Sequence, residues 1–143
     1  MPSVFTSIIQ GELPAHCLWK DHLCVSFLSI NPLTDGHALI VPLEETDHWL
    51  DLPTGTNMHL MHIASLVGNA QMEVYEPSRI GQVIAGFEVP HTHLHVLPIQ
   101  SMNDLDFSQA AKVVDHNHLR EAASTLRRVL SSHGHSHVVE SFT

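Results

Sequence analysis

The chain has 143 residues, 43% of them apolar, which is the size of one domain with one ordinary core. Fifteen acidic against six basic residues give a formal charge of −9, and the basic ones form no stripe beyond one short helical cluster, so a nucleic-acid polymer is not expected as a partner. No apolar run approaches the roughly 18 residues that cross a bilayer, and no membrane association is expected.

The first residues, MPSVFTSIIQGELPA, lack a basic n-region and place Gly11 and Glu12 directly after a short apolar patch. They read as mature sequence and not as a secretory signal, and a cytoplasmic location is expected. Phe5 to Ile9 predicts a short helix, stopped by Gly11 and Pro14. Two strands follow near Cys17–Lys20 and Cys24–Leu28, with Asp21 and His22 in the turn between them. The cysteines flank this hairpin. Nothing indicates an oxidising compartment, so they are expected as free, partly buried thiols. Asn31 to Gly36 is dense in turn formers, and His37–Pro42 predicts a buried strand closed by proline.

Pro53 and Gly55 introduce a long helix whose Leu60, Ile63, Ala64, Val67 and Val74 fall on one face of a 3.6-residue period, ending before Pro77. Arg79–Ala85 and Thr92–Ile99 predict two further strands, joined by the tight link Gly86–Pro90. A final helix is predicted over Asp115–Ser131, with Asp115 or a neighbour as cap and Leu119, Ala122, Ala123, Leu126 and Leu130 on one face. No internal repeat or linker interrupts the chain. Residues 1–132 are expected to form a single domain, and residues 133–143 (HGHSHVVESFT) a loosely held, flexible His-rich tail. Strand pairs on short turns, interrupted by one long helix, predict an antiparallel α+β fold with about five strands and helices covering one face. The other face, or an edge, is expected to be buried by a second subunit.

The segment His91-Thr92-His93-Leu94-His95 carries the chemistry. Side chains alternate along a strand, so the imidazoles of 91, 93 and 95 project to one side while Leu94 and Val96, and less clearly Thr92, face the core. The triplet alone is weak evidence. Among 14 histidines a chance HxHxH is expected roughly 0.1 times in a chain of this length. His133-Gly134-His135-Ser136-His137 is in fact a second copy, set in Gly/Ser-rich tail sequence with no strand to hold it.

Context separates the two copies. At residues 91–95 the chain resembles the histidine triad (HIT) family, whose signature is His-φ-His-φ-His-φ-φ with φ apolar; only Thr92 departs from it. Phe5–Ala15 is similar to the family's opening helix, Phe27–Pro32 to its second strand and turn, and Gly36–Pro42 to its third strand. The likeness covers about residues 4–99. It implies a HIT-like fold, a homodimer, a small nucleotide-like substrate and no cofactor. The implied reaction is hydrolysis or transfer at the α-phosphorus of a nucleoside phosphate, phosphoramidate or dinucleotide. His93 is implied to attack that phosphorus, forming a covalent nucleotidyl-imidazole that water hydrolyses. A neutral imidazole suits this role because it need not first lose a proton. His37 is implied to hold or orient the other nitrogen of His93, His95 to contact the phosphate and assist the leaving group, and His91 to buttress the row.

The candidate nucleotide-binding residues are Ser29, Ile30, Gly86 and Glu88, and they depart from the family's pattern. Ser29, beside Ile30, stands where many members have an aspartate on the ribose hydroxyls, and one hydroxyl cannot bridge a diol with a charge. Gly86 most simply permits a tight turn and is close enough to the triad to offer a phosphate-facing amide. Glu88 falls where a hydroxyl usually contacts the phosphate, and a carboxylate there repels phosphate unless turned away or protonated. Ser3 and Thr6 stand at the positions of a CxxC that binds zinc in some relatives, so no metal is expected. Two other readings stay open: a nucleotide-binding dimer that has lost turnover, on Ser29, Ala85 and Glu88, and a metal site on His91, His93 and His95. His59 and His62 read as an ordinary, partly exposed helix face. Trp19 and Trp49 read as packing residues, with Trp49 alternatively lining a dimer contact or pocket.

Overall fold

In a computed structural model describing residues 1–143, the strands are β1 (Cys17–Lys20), β2 (Cys24–Leu28), β3 (Ala38–Pro42), β4 (Arg79–Val83) and β5 (Leu94–Ile99). They form one five-stranded sheet in the order β1-β2-β3-β5-β4. Every neighbouring pair is antiparallel. The hairpin β1–β2 follows from its turn: Asp21 Oδ1 accepts the N–H groups of Leu23 (2.8 Å) and Cys24 (2.9 Å). Both cysteines are free and buried. β5 starts at Leu94 and not at Thr92, because the Thr92 N–H leaves the ladder and donates to the Thr46 carbonyl at 2.7 Å.

One face of the sheet is covered by helices α2 (Thr54–Tyr75) and α3 (His116–Ser132). The expected stripes do the packing: Leu60, Ile63, Ala64 and Val67 of α2, with Leu119, Ala123, Leu126 and Leu130 of α3, close on Leu28, Ile40, Leu94 and Val96. Asp115 caps α3, its carboxylate accepting the His118 N–H at 3.1 Å. α2 also carries Met58, Met61 and Met72 on its outer side, where they remain exposed. No helix is long and apolar enough to cross a membrane.

The opposite face corrects the expectation of a loosely held tail. It is closed by the chain itself, through a second cluster of Phe5, Val25, Phe27, Leu39, Val41 and Phe142. Phe5 comes from helix α1 (Val4–Ile9) and Phe142 from the tail. That tail is packed. Val138 bridges to Trp19, the Lys20 N–H donates to His137 O at 3.0 Å, and the Val139 N–H donates to Leu18 O at 3.2 Å. The polar HGHSH run hides a more apolar end, and Val138, Val139 and Phe142 gain burial only by lying along β1 and the sheet.

Candidate active site

The topology sets four imidazoles side by side. β3 pairs with β5 so that Leu39 lies opposite His95. His37, two residues before Leu39, therefore projects from the same face as His95. His91 and His93 run ahead of β5, fastened by Thr92, whose N–H and Oγ both donate to the Thr46 carbonyl at 2.7 and 2.8 Å. Leu94 and Val96 point the other way, into the core under the helices. Ring centroids are 5.0 Å apart for His93 and His95, and 5.1 Å for His37 and His95. Phe5 meets the rings of His93 and His91 edge-on at 5.0 and 5.9 Å. All four histidines are buried: His91 is 0%, His37 2%, His93 4% and His95 9% exposed.

The hydrogen-bond partners dictate which nitrogen of each ring carries the proton. The Leu33 N–H donates to Nδ1 of His37 at 3.0 Å, so the proton of neutral His37 sits on Nε2. That Nε2–H donates to Nδ1 of His95 at 2.9 Å, which leaves the His95 proton on Nε2. Nδ1 of His93 lies 2.7 Å from the His91 carbonyl, which can only accept, so His93 is protonated at Nδ1 and its Nε2 has a bare lone pair. Burial holds His37 and His95 neutral, pushing His37 down to about 4 and His95 to about 3; for His95 the neighbouring His37 and His93 act in the same direction. Burial also lowers His91. One face thus offers a bare imidazole nitrogen beside an imidazole N–H. Chemically, that is a nucleophile next to a hydrogen-bond donor.

The expected role of His37 needs correction. It does not reach the second nitrogen of His93. Both His93 and His95 project from the same face, and the register of β3 brings His37 to His95, while the backbone of His91 serves His93.

A cavity of about 240 Å³ opens beside His93, lined among others by Trp49, Ile84, Gly86, Phe87 and Thr92. Gly86 takes a left-handed φ of 85°, and the Phe87 that follows is almost wholly exposed at the mouth. Trp49 lines this cavity and does more than pack. Glu88 and Ile30 are exposed and outside the lining, and the half-buried Ser29 is outside it as well. Ser29 instead adjoins His37, donating its N–H to the His37 carbonyl at 2.9 Å, while its Oγ accepts the Asn31 N–H at 3.3 Å. Phe107, which sequence reasoning passed over, sets its ring edge-on to His95 at 4.9 Å.

Asp21, Cys24 and His59 bring metal-ligating atoms within 4.8 Å of one another. The carboxylate is already engaged, however: Oδ2 accepts from Trp19 Nε1 (2.8 Å) and His59 Nε2 (2.7 Å), and Oδ1 takes the two turn N–H groups. Burial opposes its ionisation, but these hydrogen bonds together hold the Asp21 carboxyl well below the usual range. The group is a clasp between the hairpin and α2. Sequence reasoning gave His59 to an ordinary surface; the Asp-x-x-Cys turn carried no sign of its partner 38 residues away.

The protein-family model described as HIT domain matches residues 10–102. An uncharacterized HIT-like protein of Borreliella burgdorferi is 32% identical over 117 residues, 77% of this chain and 84% of that protein. An adenosine 5'-monophosphoramidase of Saccharomyces cerevisiae is 32% identical over 96 residues, covering 66% of this chain and 61% of its own length. A zinc-bound histidine triad family protein of Mycobacterium smegmatis superposes with a TM-score of 0.76 at 25% identity, over 92% of this chain and 94% of that one. Zinc does not fit the pair Ser3 and Thr6 in this chain. The hydroxyls of Ser3 and Thr6 are poor zinc ligands, and they are already bonded to His91 (2.7 Å) and Glu45 (2.6 Å).

Proposed function

The chain belongs to the HIT family, and on that premise we propose that it is a nucleotide hydrolase or transferase acting at the α-phosphorus of a nucleoside phosphate, phosphoramidate or dinucleotide. One observation carries the reading: the bare Nε2 of His93 lies on the same face as the Nε2–H of His95, with both protonation states fixed by buried partners. His93 attacks phosphorus and forms a P–N bond as the bond to the leaving group breaks. The Nε2–H of neutral His95 donates a hydrogen bond to the departing group and keeps its proton, and the departing group is protonated by solvent. The nucleotidyl-imidazolium keeps its Nδ1–H on the His91 carbonyl, which stabilises the new positive charge. Water then attacks the same phosphorus, the P–N bond breaks, His93 leaves as the neutral Nδ1–H imidazole, and the proton of the water passes to solvent. Gly86 and Phe87 beside His93 are proposed to border the phosphate and its neighbouring group, and Ser29 and Ile30 to contact the nucleoside from the His37 side.

The similarity to a monophosphoramidase makes P–N substrates the first to try. The test is a panel of adenosine and guanosine phosphoramidates and dinucleotides, run on the parent protein and on His93→Ala. Turnover by the parent, its loss in His93→Ala, and a covalent nucleotidyl adduct trapped on His93 are expected. A parent that binds but turns over none of them is a nucleotide-binding protein without catalysis.

The working form is proposed to be a homodimer. The outer edge of β4 is unpaired, and the exposed Met58, Met61 and Met72 of α2 leave apolar surface that a two-fold partner can cover. Sedimentation equilibrium tests it. A cytoplasmic location belongs to the same proposal, supported by two buried cysteines left as thiols.

A further inference from the structure

The amino-terminal segment is tied to the histidine row by hydrogen bonds whose directions are all decided. Ser3 caps α1, its Oγ accepting the Thr6 N–H at 3.1 Å. The same Oγ lies 2.7 Å from Nδ1 of His91, in a buried contact between residues 88 apart in sequence. Nε2 of His91 faces the Pro42 carbonyl at 2.8 Å, which can only accept. The ring proton of neutral His91 therefore sits on Nε2, Nδ1 is bare, and the Ser3 hydroxyl donates to it. Ser3 in turn is held by Glu45: its N–H and the Thr6 hydroxyl both donate to Glu45 Oε1, each at 2.6 Å. These are short bonds to a charged acceptor, the stronger kind. At the other end, the backbone carbonyl of His91 takes the Nδ1–H of His93 at 2.7 Å.

We propose that Glu45, acting through Ser3, is a positioning residue that fixes His91 and so holds His93 with Nε2 bare toward the substrate. The inference rests on the reading of His93 as nucleophile. Glu45 touches no reacting atom and is itself exposed on the loop after β3. Its effect comes from what it grips. Ser3 stands at the very start of α1, and without the carboxylate its backbone N–H returns to water and its hydroxyl is free to leave His91 for the helix cap alone. Nδ1 of a wholly buried ring is then unpaired, a state that favours ring rotation or a tautomer change. Phe5, two residues further on, is the ring that meets both His91 and His93 edge-on, so the same movement loosens the packing of the row.

Two-bond proton–nitrogen correlation spectra of ¹⁵N-labelled protein report which nitrogen of each imidazole is protonated, and they need no substrate. The parent protein is expected to show His91 as the Nε2–H tautomer and His93 as the Nδ1–H tautomer. Glu45→Ala and Ser3→Ala are expected to turn His91 into an exchanging mixture and to broaden His93, while Ser3→Thr, which keeps the hydroxyl, retains the parent pattern. On a phosphoramidate, kcat of Glu45→Ala is expected to fall about tenfold with little change in KM, as for a displaced reacting group. Glu45→Gln and Thr6→Val, which each weaken the grip without emptying it, give intermediate spectra and provide the series if Ser3→Ala does not fold. Unchanged tautomers of both histidines in Glu45→Ala overturn the proposal whatever the activity. A parent protein with no turnover overturns the catalytic reading and leaves the spectra to decide the Glu45 clamp.

Discussion

The Nε2–H of His37 meets Nδ1 of His95 across 2.9 Å, in a site where neither ring is more than 9% exposed. The Leu33 N–H secures the far nitrogen of His37, so the pair has one arrangement of protons and His95 presents its N–H outward. His37 therefore acts through the hydrogen-bond donor His95 and not through the nucleophile. Replacing His95 with Ala is expected to lower kcat about 10²- to 10³-fold, the usual worth of one hydrogen-bond donor aimed at developing charge. His37→Ala is expected to cost about tenfold, since His95 keeps its ring but loses its orientation. Both losses should grow as the leaving group becomes more basic. A leaving-group series measures this, and equal losses for good and poor leaving groups would assign His37 to phosphate binding.

Acid should destabilise this protein earlier than its carboxylates require. His37 titrates at about 4 in the folded chain against an ordinary 6.5, and His95 at about 3. Between those values the unfolded chain binds protons that the folded one refuses, so stability falls as pH drops from about 6.5. For His37 alone the loss by pH 4 is roughly 3 kcal/mol. Asp21, lowered by its hydrogen bonds, adds a loss in the same direction once pH passes below its ordinary 3.8. His118, raised by its bond to Asp35, works the other way, but both groups are exposed and the effect is screened. Urea titrations at pH 7, 6 and 5 check the sign: the midpoint should decline across the series, and His37→Phe should flatten the decline.

The hairpin clasp gives a stability prediction independent of catalysis. Asp21 has a side chain only 3% exposed and accepts from Trp19, Leu23, Cys24 and His59. Asp21→Ala leaves these donors without their acceptor in the interior and is expected to cost about 3 kcal/mol. His59→Ala should cost about 1 kcal/mol, since the carboxylate retains its other partners. Thermal unfolding measures both. Metal content unchanged in either variant is expected as well, because the carboxylate is occupied by protein donors.

The local pattern of this chain was legible. Turn chemistry around Asp21 and the apolar periods of α2 and α3 placed those elements to within a residue or two, and alternation along residues 91–95 put Leu94 and Val96 inward. What the sequence withheld were the partners of rings. His93 and His95 lie on one face two residues apart, and only the register of β3 against β5 says which of them His37 reaches. Ser3 read as a missing zinc ligand; a helix-capping serine with Thr6 three residues on was the available signal, but Glu45 and His91 are 42 and 88 residues away. The tail was misjudged because Gly134 and Ser136 dominate its first half, while Val138, Val139 and Phe142 decide its fate.

Phe142 is the residue on which that correction can be tested. It is 8% exposed and meets Phe27 at 6.2 Å; Phe27 meets Phe5 at 5.5 Å, and Phe5 meets the ring of His93 at 5.0 Å. The tail therefore ends in the aromatic cluster that backs the histidine row. Truncating a buried phenylalanine to alanine costs about 3–5 kcal/mol in a well-packed core, and Phe142, not wholly buried, is expected at the lower figure. Removing residues 138–143 should cost at least as much, because the pairing of Val138 with Trp19 is lost too. Urea unfolding gives the free energies, and limited proteolysis of the parent protein should leave the tail uncut under native conditions. A Phe142→Ala change below about 0.5 kcal/mol, the size typical of surface positions, would mean that the terminus is loose in solution and that Phe5 is held by α1 alone.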